Sequence, residues 1–348
     1  MNRLVGITYD RRCLEHRISL PTKEGPERLQ GLYDQLDSFA HSSSLKRYEP
    51  SPISDDILSM VHSSFYLEQI ERLTLQDNPY AYDKDTYLMT RSLEVAKLAS
   101  GGCIKLADAI MADEVGRGFA LVRPPGHHAE SGRGMGFCIL NSVAMVAKYL
   151  VERYGLARIL ILDVDIHHGN GTQEIFYESE RVLFISLHQQ SLFPFTGATT
   201  ELGVRGGEGY TINLPIQRLW GDLEYSHLFG RVVQNAMEHF IPQFILVSCG
   251  FDGHREESIS GTTLSVGAYV QMTSALKFFA DTYCDGRLLY ILEGGYNPNT
   301  LARATMSTLD ELLSPNVRKP SFCHAARAAL MVQNELPDLI KEKWAIDG

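Results

Sequence analysis

The sequence predicts an α/β protein with a central parallel sheet, one domain over residues 1–348, and three observations carry that prediction. Branched apolar runs recur along the 348 residues and alternate with helical patterns. The runs are short and continuous, as in strands buried on both faces of a sheet. No low-complexity segment or internal repeat divides the chain.

Leu4 to Tyr9 is the first strand. The polar stretch from Asp10 to Arg28 reads as a long surface loop before a helix at Leu29 to Phe39. Loops of that length in compact domains are often functional. A segment rich in Asp, Asn, Pro and Tyr, from Asp77 to Asp85, precedes a helix from Thr90 to Ala112. Phe119 to Val122 is the next strand. It runs into Arg123-Pro-Pro-Gly-His-His-Ala and then Glu130-Ser-Gly-Arg-Gly-Met-Gly-Phe137-Cys138. The prolines and glycines there exclude a helix and permit close approach of a ligand at Gly136. Neither GxxxxGKS/T nor GxGxxG after a strand is present, so this is no phosphate loop.

Arg158 to Leu162 is the strand around which the chemistry gathers, because it exits into Asp163-Val-Asp-Ile-His-His-Gly-Asn-Gly171. Alternation across a strand sends Asp163, Asp165 and His167 out on one face. A carboxylate and an imidazole so spaced reach one divalent ion at about 2.0 to 2.2 Å, with the deeper Asp163 supporting them. Three more strands end in polar residues. Val182 to Leu187 leaves at Ser186, Leu187 and His188, Phe244 to Val247 leaves at Ser248 to His254, and Leu288 to Leu292 leaves at Glu293-Gly-Gly-Tyr296. Ligand sites in open parallel sheets lie outside the carboxyl ends of the strands, so these exits converge. Asp165, His167 and Asp252 then make the oxygen-and-nitrogen ligand set of a catalytic zinc with one open position. The adjacent His127 and His128 join the same cluster of titratable groups.

Composition narrows the partners. A formal net charge of -10 argues against nucleic acid and agrees with a cationic substrate. There is no membrane-length apolar run and no signal-peptide pattern, so a cytoplasmic location is expected. Cys13, Cys103, Cys138, Cys249, Cys284 and Cys323 form no CxxC pair, as in a reduced compartment without a cysteine metal site.

PPGHHA, GFC, DVDIHHGNG, SLH, GFD and LEGGY occur in this order, within a stretch from Val5 to Tyr296. By them the chain resembles the zinc-dependent histone deacetylase family, and more closely its bacterial histone deacetylase-like amidohydrolases and acetylpolyamine amidohydrolases. The resemblance implies the arginase/deacetylase fold, with a central parallel sheet of about eight strands flanked by helices. It implies hydrolysis of an N-acetylated amine to acetate and free amine, with Asp165, His167 and Asp252 holding zinc. His127 and His128 become the active-site histidines, paired with Asp163 and Asn170, and Tyr296 the catalytic tyrosine. A carboxylate partner favours imidazolium while an amide only orients the ring, which leaves His128 as the base and Tyr296 as the oxyanion donor.

The same resemblance implies structural potassium. One ion would use Asp163, Ser186 and the carbonyls of Asp165, His167 and Leu187; a second would use main-chain oxygens of Phe176, Ser179, Val182 and Tyr210. Phe137 and Phe193 match the aromatic pair walling an acyl-lysine tunnel, with the Gly136 carbonyl accepting the substrate amide N–H. Two departures fall on the expected rim and not on the chemistry. Thr22-Lys-Glu-Gly-Pro-Glu-Arg28 replaces a His-Pro-Glu-Arg-Pro-like stretch, and Glu256-Glu-Ser-Ile-Ser-Gly261 replaces Asp-Pro-Leu-Gly.

Two alternatives rank lower. A two-manganese ureohydrolase of this fold wants DxHxD and a second DxD pair, whereas this chain has DxDxH and a single Asp252. An inactive acyl-lysine or partner-binding module would have lost a ligand or the tyrosine. The substrate, acetyl-lysine protein or acetylated polyamine, is left open: Glu24, Glu27, Asp77, Asp83 or Glu256 at the mouth would steer a polyamine, and a homo-oligomer interface could narrow the entrance.

Overall fold

The branched apolar runs pair side by side because a strand buried on both faces satisfies its backbone only through neighbouring strands. The computed structural model describes residues 4–18, 21–39, 44–76 and 79–346. Among these, the strands are β1 (Val5–Thr8), β2 (Leu45–Arg47), β3 (Tyr80–Ala81), β4 (Tyr87–Leu88), β5 (Arg117–Ala120), β6 (Ile159–Asp163), β7 (Val182–Gln189), β8 (Thr211–Ile216), β9 (Phe244–Cys249) and β10 (Leu288–Leu292). Eight of them form one sheet in the order β2-β1-β5-β10-β9-β6-β7-β8, and every pairing in it is parallel. β3 and β4 make a separate antiparallel pair.

Alternation assigns the side chains of each central strand to two cores. Leu160, Leu162, Ile245, Val247, Leu288 and Tyr290 face one, and Ile159, Ile161, Phe244, Leu246, Leu289 and Ile291 face the other. Helices Val266–Tyr283 and Pro298–Leu313 contribute to the first core; helices Ser92–Met111 and Ser142–Tyr154 cover the second. Each fully buried Leu, Ile, Val or Phe contributes roughly 1.5–3 kcal/mol, so the middle of the sheet supplies much of the apolar burial that stabilises the fold.

Register then fixes where the chemistry sits. Asp163 is level with Ser186 of β7 and with Ser248 of β9, and Leu292 of β10 is level with Cys249. The carboxyl ends of four central strands therefore open onto one place.

β10 matches its sequence expectation, and the expected helices appear as Glu27–Asp37 and Ser92–Met111. β5 begins and ends two residues earlier than expected, since Leu121 and Val122 remain buried beyond the last paired residue. The sequence expectation lacked β2 and β8, the two edges: β2 is a three-residue Leu-Lys-Arg strand, and β8 carries Asn213 and Pro215. Proline is tolerated there because an edge strand has an unpaired side. The stretch from Asp10 to Arg28 is not a surface loop. It contains a short helix, Arg11–Glu15, and it buries Cys13, His16, Glu24 and Arg28. Among the described residues no helix is long and apolar enough to cross a membrane.

Candidate metal centre and active site

The strand ladder of β6 stops at Asp163, yet Asp165 and His167 still converge in the turn that follows. Backbone amides arrange this. Ile166 N–H donates to Asp252 Oδ1 at 3.0 Å and Gly294 N–H donates to Asp165 Oδ2 at 2.8 Å. The remaining oxygens, Asp165 Oδ1 and Asp252 Oδ2, lie 3.1 and 2.9 Å from His167 Nδ1. A Cβ on Gly294 would come 2.3 Å from Asp252 Oδ2 and 2.5 Å from Asp165 Oδ2, so glycine is required for the backbone to close over both carboxylates.

The three donors fit a divalent cation on their own chemistry. Two carboxylates and one imidazole offer ligand atoms within 4.8 Å of one another, and both aspartates are fully buried. Two buried like charges are costly unless a cation lies between them. A proton on His167 is one such cation: burial would lower its pKa, but the two carboxylates raise it to about 9. Burial and the neighbouring Asp165 raise Asp252, whereas His127 and His167 hold Asp165 low against the cost of burial. A dication at this point would take the proton's place and depress all of these values. The N,O,O set without thiolate is the type that binds zinc with an open position.

Beside the triad, the histidine rings of 127 and 128 lie 4.0 Å apart with different partners. His127 Nδ1 is 2.9 Å from Asp163 Oδ2. Burial would lower its pKa, but Asp163, Asp165 and Glu293 outweigh that and raise it to about 10, while burial lifts Asp163 to about 6. Between those values the two form a buried ion pair. His128 Nδ1 is 2.9 Å from Asn170 Oδ1. Burial, then the His127 and His167 charges, depress its pKa well below the usual value, so the ring is neutral near pH 7. Glu293 holds the loop that carries both rings, accepting from Gly126 N–H at 2.6 Å and His127 N–H at 3.2 Å.

A cleft of 560 Å³ leads down to His128, His167 and Tyr296, walled by Phe137, Phe193, Leu192, Tyr87 and Ile259. Phe193 packs edge-on against His128 at 5.1 Å, and Phe137 lies 5.6 Å from Tyr296. Gly136 has φ +54°, and a Cβ there would meet His128 Cδ2 at 2.5 Å and Phe193 Cε1 at 2.7 Å. Thr86 Oγ1 accepts from Phe137 N–H at 2.9 Å and fixes the turn.

Tyr296 is held by residues the sequence reading set aside as rim. The Arg28 guanidinium lies 4.9 Å over its ring and donates to the carbonyls of Gly295 at 2.7 Å and Glu293 at 2.6 Å. Glu24 bridges Arg28 at 2.8 Å to Arg123 at 2.7 Å, all three fully or almost fully buried. Burial would raise the Glu24 carboxyl, but the two guanidiniums keep it below the ordinary value. Glu257 accepts from Tyr296 N–H at 2.8 Å and Asn297 N–H at 2.9 Å. The expectation that both departures leave the chemistry untouched is therefore wrong. The signal was the polar stretch itself, but its partners lie far along the chain.

The expected acidic rim is also corrected. Glu24 is buried in ion pairs, Glu256 is bound to Thr300 and Arg303, and Glu27 is not among the cleft-lining residues. Asp77 lies outside the described residues. Asp83 and Asp85 do line the mouth, together with Lys23 and Lys84. Of the groups expected at potassium, Asp163 and Ser186 are register partners, and the Ser186 hydroxyl is 2.9 Å from His188 Nδ1. The Phe176 carbonyl accepts from Ser179 N–H and the Tyr210 carbonyl from Phe184 N–H, both at 2.9 Å.

Residues 22–312 match the family profile described as histone deacetylase domain. A probable deacetylase of Archaeoglobus fulgidus is 39% identical over 296 residues, covering 84% of this chain and 82% of that protein. The histone deacetylase-like amidohydrolase of Pseudomonas aeruginosa is 32% identical over 331 residues, covering 90% of this chain and 87% of that one. Histone deacetylase 15 of Arabidopsis thaliana is 36% identical over 89% of this chain, which spans 57% of that longer protein. A crystal structure of the HDA15 HD domain matches with a TM-score of 0.86 at 32% identity, over 98% of this chain and 97% of that chain.

Proposed function

The chain belongs to the histone deacetylase family, whose members hydrolyse amides, and on that premise we propose that it is a one-zinc deacetylase acting on acetyl-lysine side chains rather than on acetylated polyamines. The observation that carries the chemistry is the convergence of the buried Asp165 and Asp252 on His167, which lines the cleft together with His128 and Tyr296.

Zinc held by Asp165, His167 and Asp252 supplies a Lewis acid for the amide carbonyl and lowers the pKa of water. His128, neutral and with Nδ1 engaged by Asn170, takes the water's proton at Nε2 and returns one to the leaving amine. His127 stays cationic beside Asp163 and stabilises developing negative charge. The Tyr296 hydroxyl donates to the oxyanion, and its burial keeps it protonated. Phe137 and Phe193 enclose the alkyl chain, and the Gly136 carbonyl accepts the substrate N–H. On the family resemblance, the side-chain oxygens of Asp163 and Ser186 with the carbonyls of Asp165, His167 and Leu187 would hold one potassium ion, and the main-chain oxygens of Phe176, Ser179, Val182 and Tyr210 would hold a second.

The mouth favours acetyl-lysine. Its two aspartates are balanced by two lysines, and Asp83 is already engaged by the N–H groups of Asp85 and Gly136. A polycation gains little from such a field. The test is kcat/KM of the zinc-loaded protein on an acetyl-lysine peptide and on an N-acetylated polyamine, each with Tyr296→Phe as control. Preference for the peptide supports the reading; preference for the polyamine overturns the substrate assignment.

A further inference from the structure

An amide is an ambiguous partner for a histidine. The two ends of an asparagine side chain have nearly the same shape, but one accepts and the other donates, so its orientation decides which ring nitrogen keeps the proton. The carboxylate of Asp163 raises no such ambiguity for His127, because either oxygen only accepts. His128 faces Asn170 and needs something further to fix that amide.

Glu130 is placed to do so. Its Oε1 lies 2.9 Å from Asn170 Nδ2, and Met135 Sδ lies 3.3 Å from the same nitrogen. Both neighbours are acceptors, and a carboxylate has no proton to offer, so the NH2 end of the amide must face them. Oδ1 is thereby turned to His128 Nδ1 at 2.9 Å, which must carry the hydrogen, and the lone pair is left on Nε2, which lies on the cleft side of the ring and has no hydrogen-bond partner among the described residues. Rotating the amide by half a turn would put the proton on Nε2, and the ring would present a donor to the cleft in place of a base.

The Glu130 carboxylate also accepts from Arg133 Nη2, at 3.3 Å on the same Oε1, and the main chain of the residue is held on both sides. Its N–H donates to Arg133 O at 2.9 Å, and its carbonyl accepts from His62 Nδ1 at 3.0 Å. His62 Nε2 accepts from Asn141 N–H at 3.0 Å, so its proton must be on Nδ1. The Glu130 carboxylate borders a separate surface cleft of 580 Å³ shared with Asn170, Gln173 and Glu174, and shares no wall with the substrate cleft.

We propose that Glu130 is a positioning residue that locks the Asn170 amide and so holds His128 in the tautomer a general base requires. The proposal rests on the reading of His128 as the base, and two readouts separate their failures. The first is activity in a double-variant cycle. Glu130→Leu lowers kcat about tenfold with KM nearly unchanged, a part of the 10²–10⁴ a general base contributes, while Glu130→Gln, whose carbonyl oxygen still accepts from Asn170, recovers most of it. In the Asn170→Asp background, where the partner cannot flip, Glu130→Leu costs nothing or raises activity by removing a like charge. An equal loss in both backgrounds overturns the lock, as does no loss in either together with an unchanged His128 tautomer.

The second readout is the ring nitrogen chemical shifts of His128 in ¹⁵N-histidine-labelled protein. The native protein shows a protonated Nδ1 and a bare Nε2, and Glu130→Leu shifts both toward a mixture. A tautomer change without loss of activity contradicts His128 as base but leaves the lock standing; an unchanged tautomer contradicts the lock.

Discussion

The loops at the carboxyl edge of the sheet and the segment from Asp10 to Arg28 both border the cleft that holds His128, His167 and Tyr296, but they do so by different physics. The edge loops follow rigid central strands whose register sets Asp163 level with Ser186 and Ser248, so their side chains arrive in place with the fold. The N-terminal segment has no strand beneath it after β1. It is tied down by charge: Glu24 between two guanidiniums, and Arg28 on the carbonyls of Glu293 and Gly295. The comparison teaches that the metal side depends on packing, while the tyrosine side depends on a buried ionic network that fails as a unit if one member is removed.

Four changes test that difference. Asp252→Ala in an edge loop should lower kcat/KM roughly 10³-fold or more, since the metal supplies several kcal/mol of charge stabilisation, with bound zinc falling in parallel. Metal analysis and steady-state kinetics check it; full activity with a lost ligand would break the account of that region. Glu24→Leu in the other region leaves two buried guanidiniums unpaired and should cost about 3–5 kcal/mol in urea unfolding. A cost near zero would show that the network is not what secures the segment.

The third change concerns pH. Burial lowers the pKa of His16 from 6.5 to about 3, and its Nδ1 lies 2.8 Å from Ser92 Oγ. The unfolded chain therefore binds this proton before the folded one does. The contribution is whole above pH 6.5 and is lost on acidification at about 1.4 kcal/mol per pH unit until pH 3 is approached. His16→Gln should make urea stability fall less steeply between pH 6.5 and 4 than in the native protein; an unchanged slope would contradict a buried neutral His16. The smallest effect belongs to the mouth. Lys84→Glu should raise kcat/KM for a cationic acetylated amine a few-fold at low salt and lose that gain at high salt.

Much of the sheet and of the metal side was legible in the sequence because it is written locally. Six apolar runs mark the inner strands, and Asp165, His167, Asp252, His127, His128 and Tyr296 follow them within a few residues. The edge strands were not legible, since β2 and β8 have one open side and can carry Lys46, Asn213 or Pro215. Glu24, Arg28, Arg123 and Glu257 look like ordinary solvated charges, and burial reverses that reading only once the partner is known. Arg28 and Gly295 are 267 positions apart, which no pattern within one segment can reveal. Glu130 was hidden for a subtler reason: it acts on the orientation of Asn170, and orientation is not encoded in spacing.

The central claim is a single metal ion held by Asp165, His167 and Asp252. Its most direct test is to strip the protein with a chelator and titrate zinc back while following bound metal and acetyl-lysine peptide hydrolysis together. The account predicts that activity rises in proportion to bound zinc, is complete at about one equivalent, and does not return in Asp165→Asn. Activity that survives chelation, or that requires a second equivalent of metal, would contradict it.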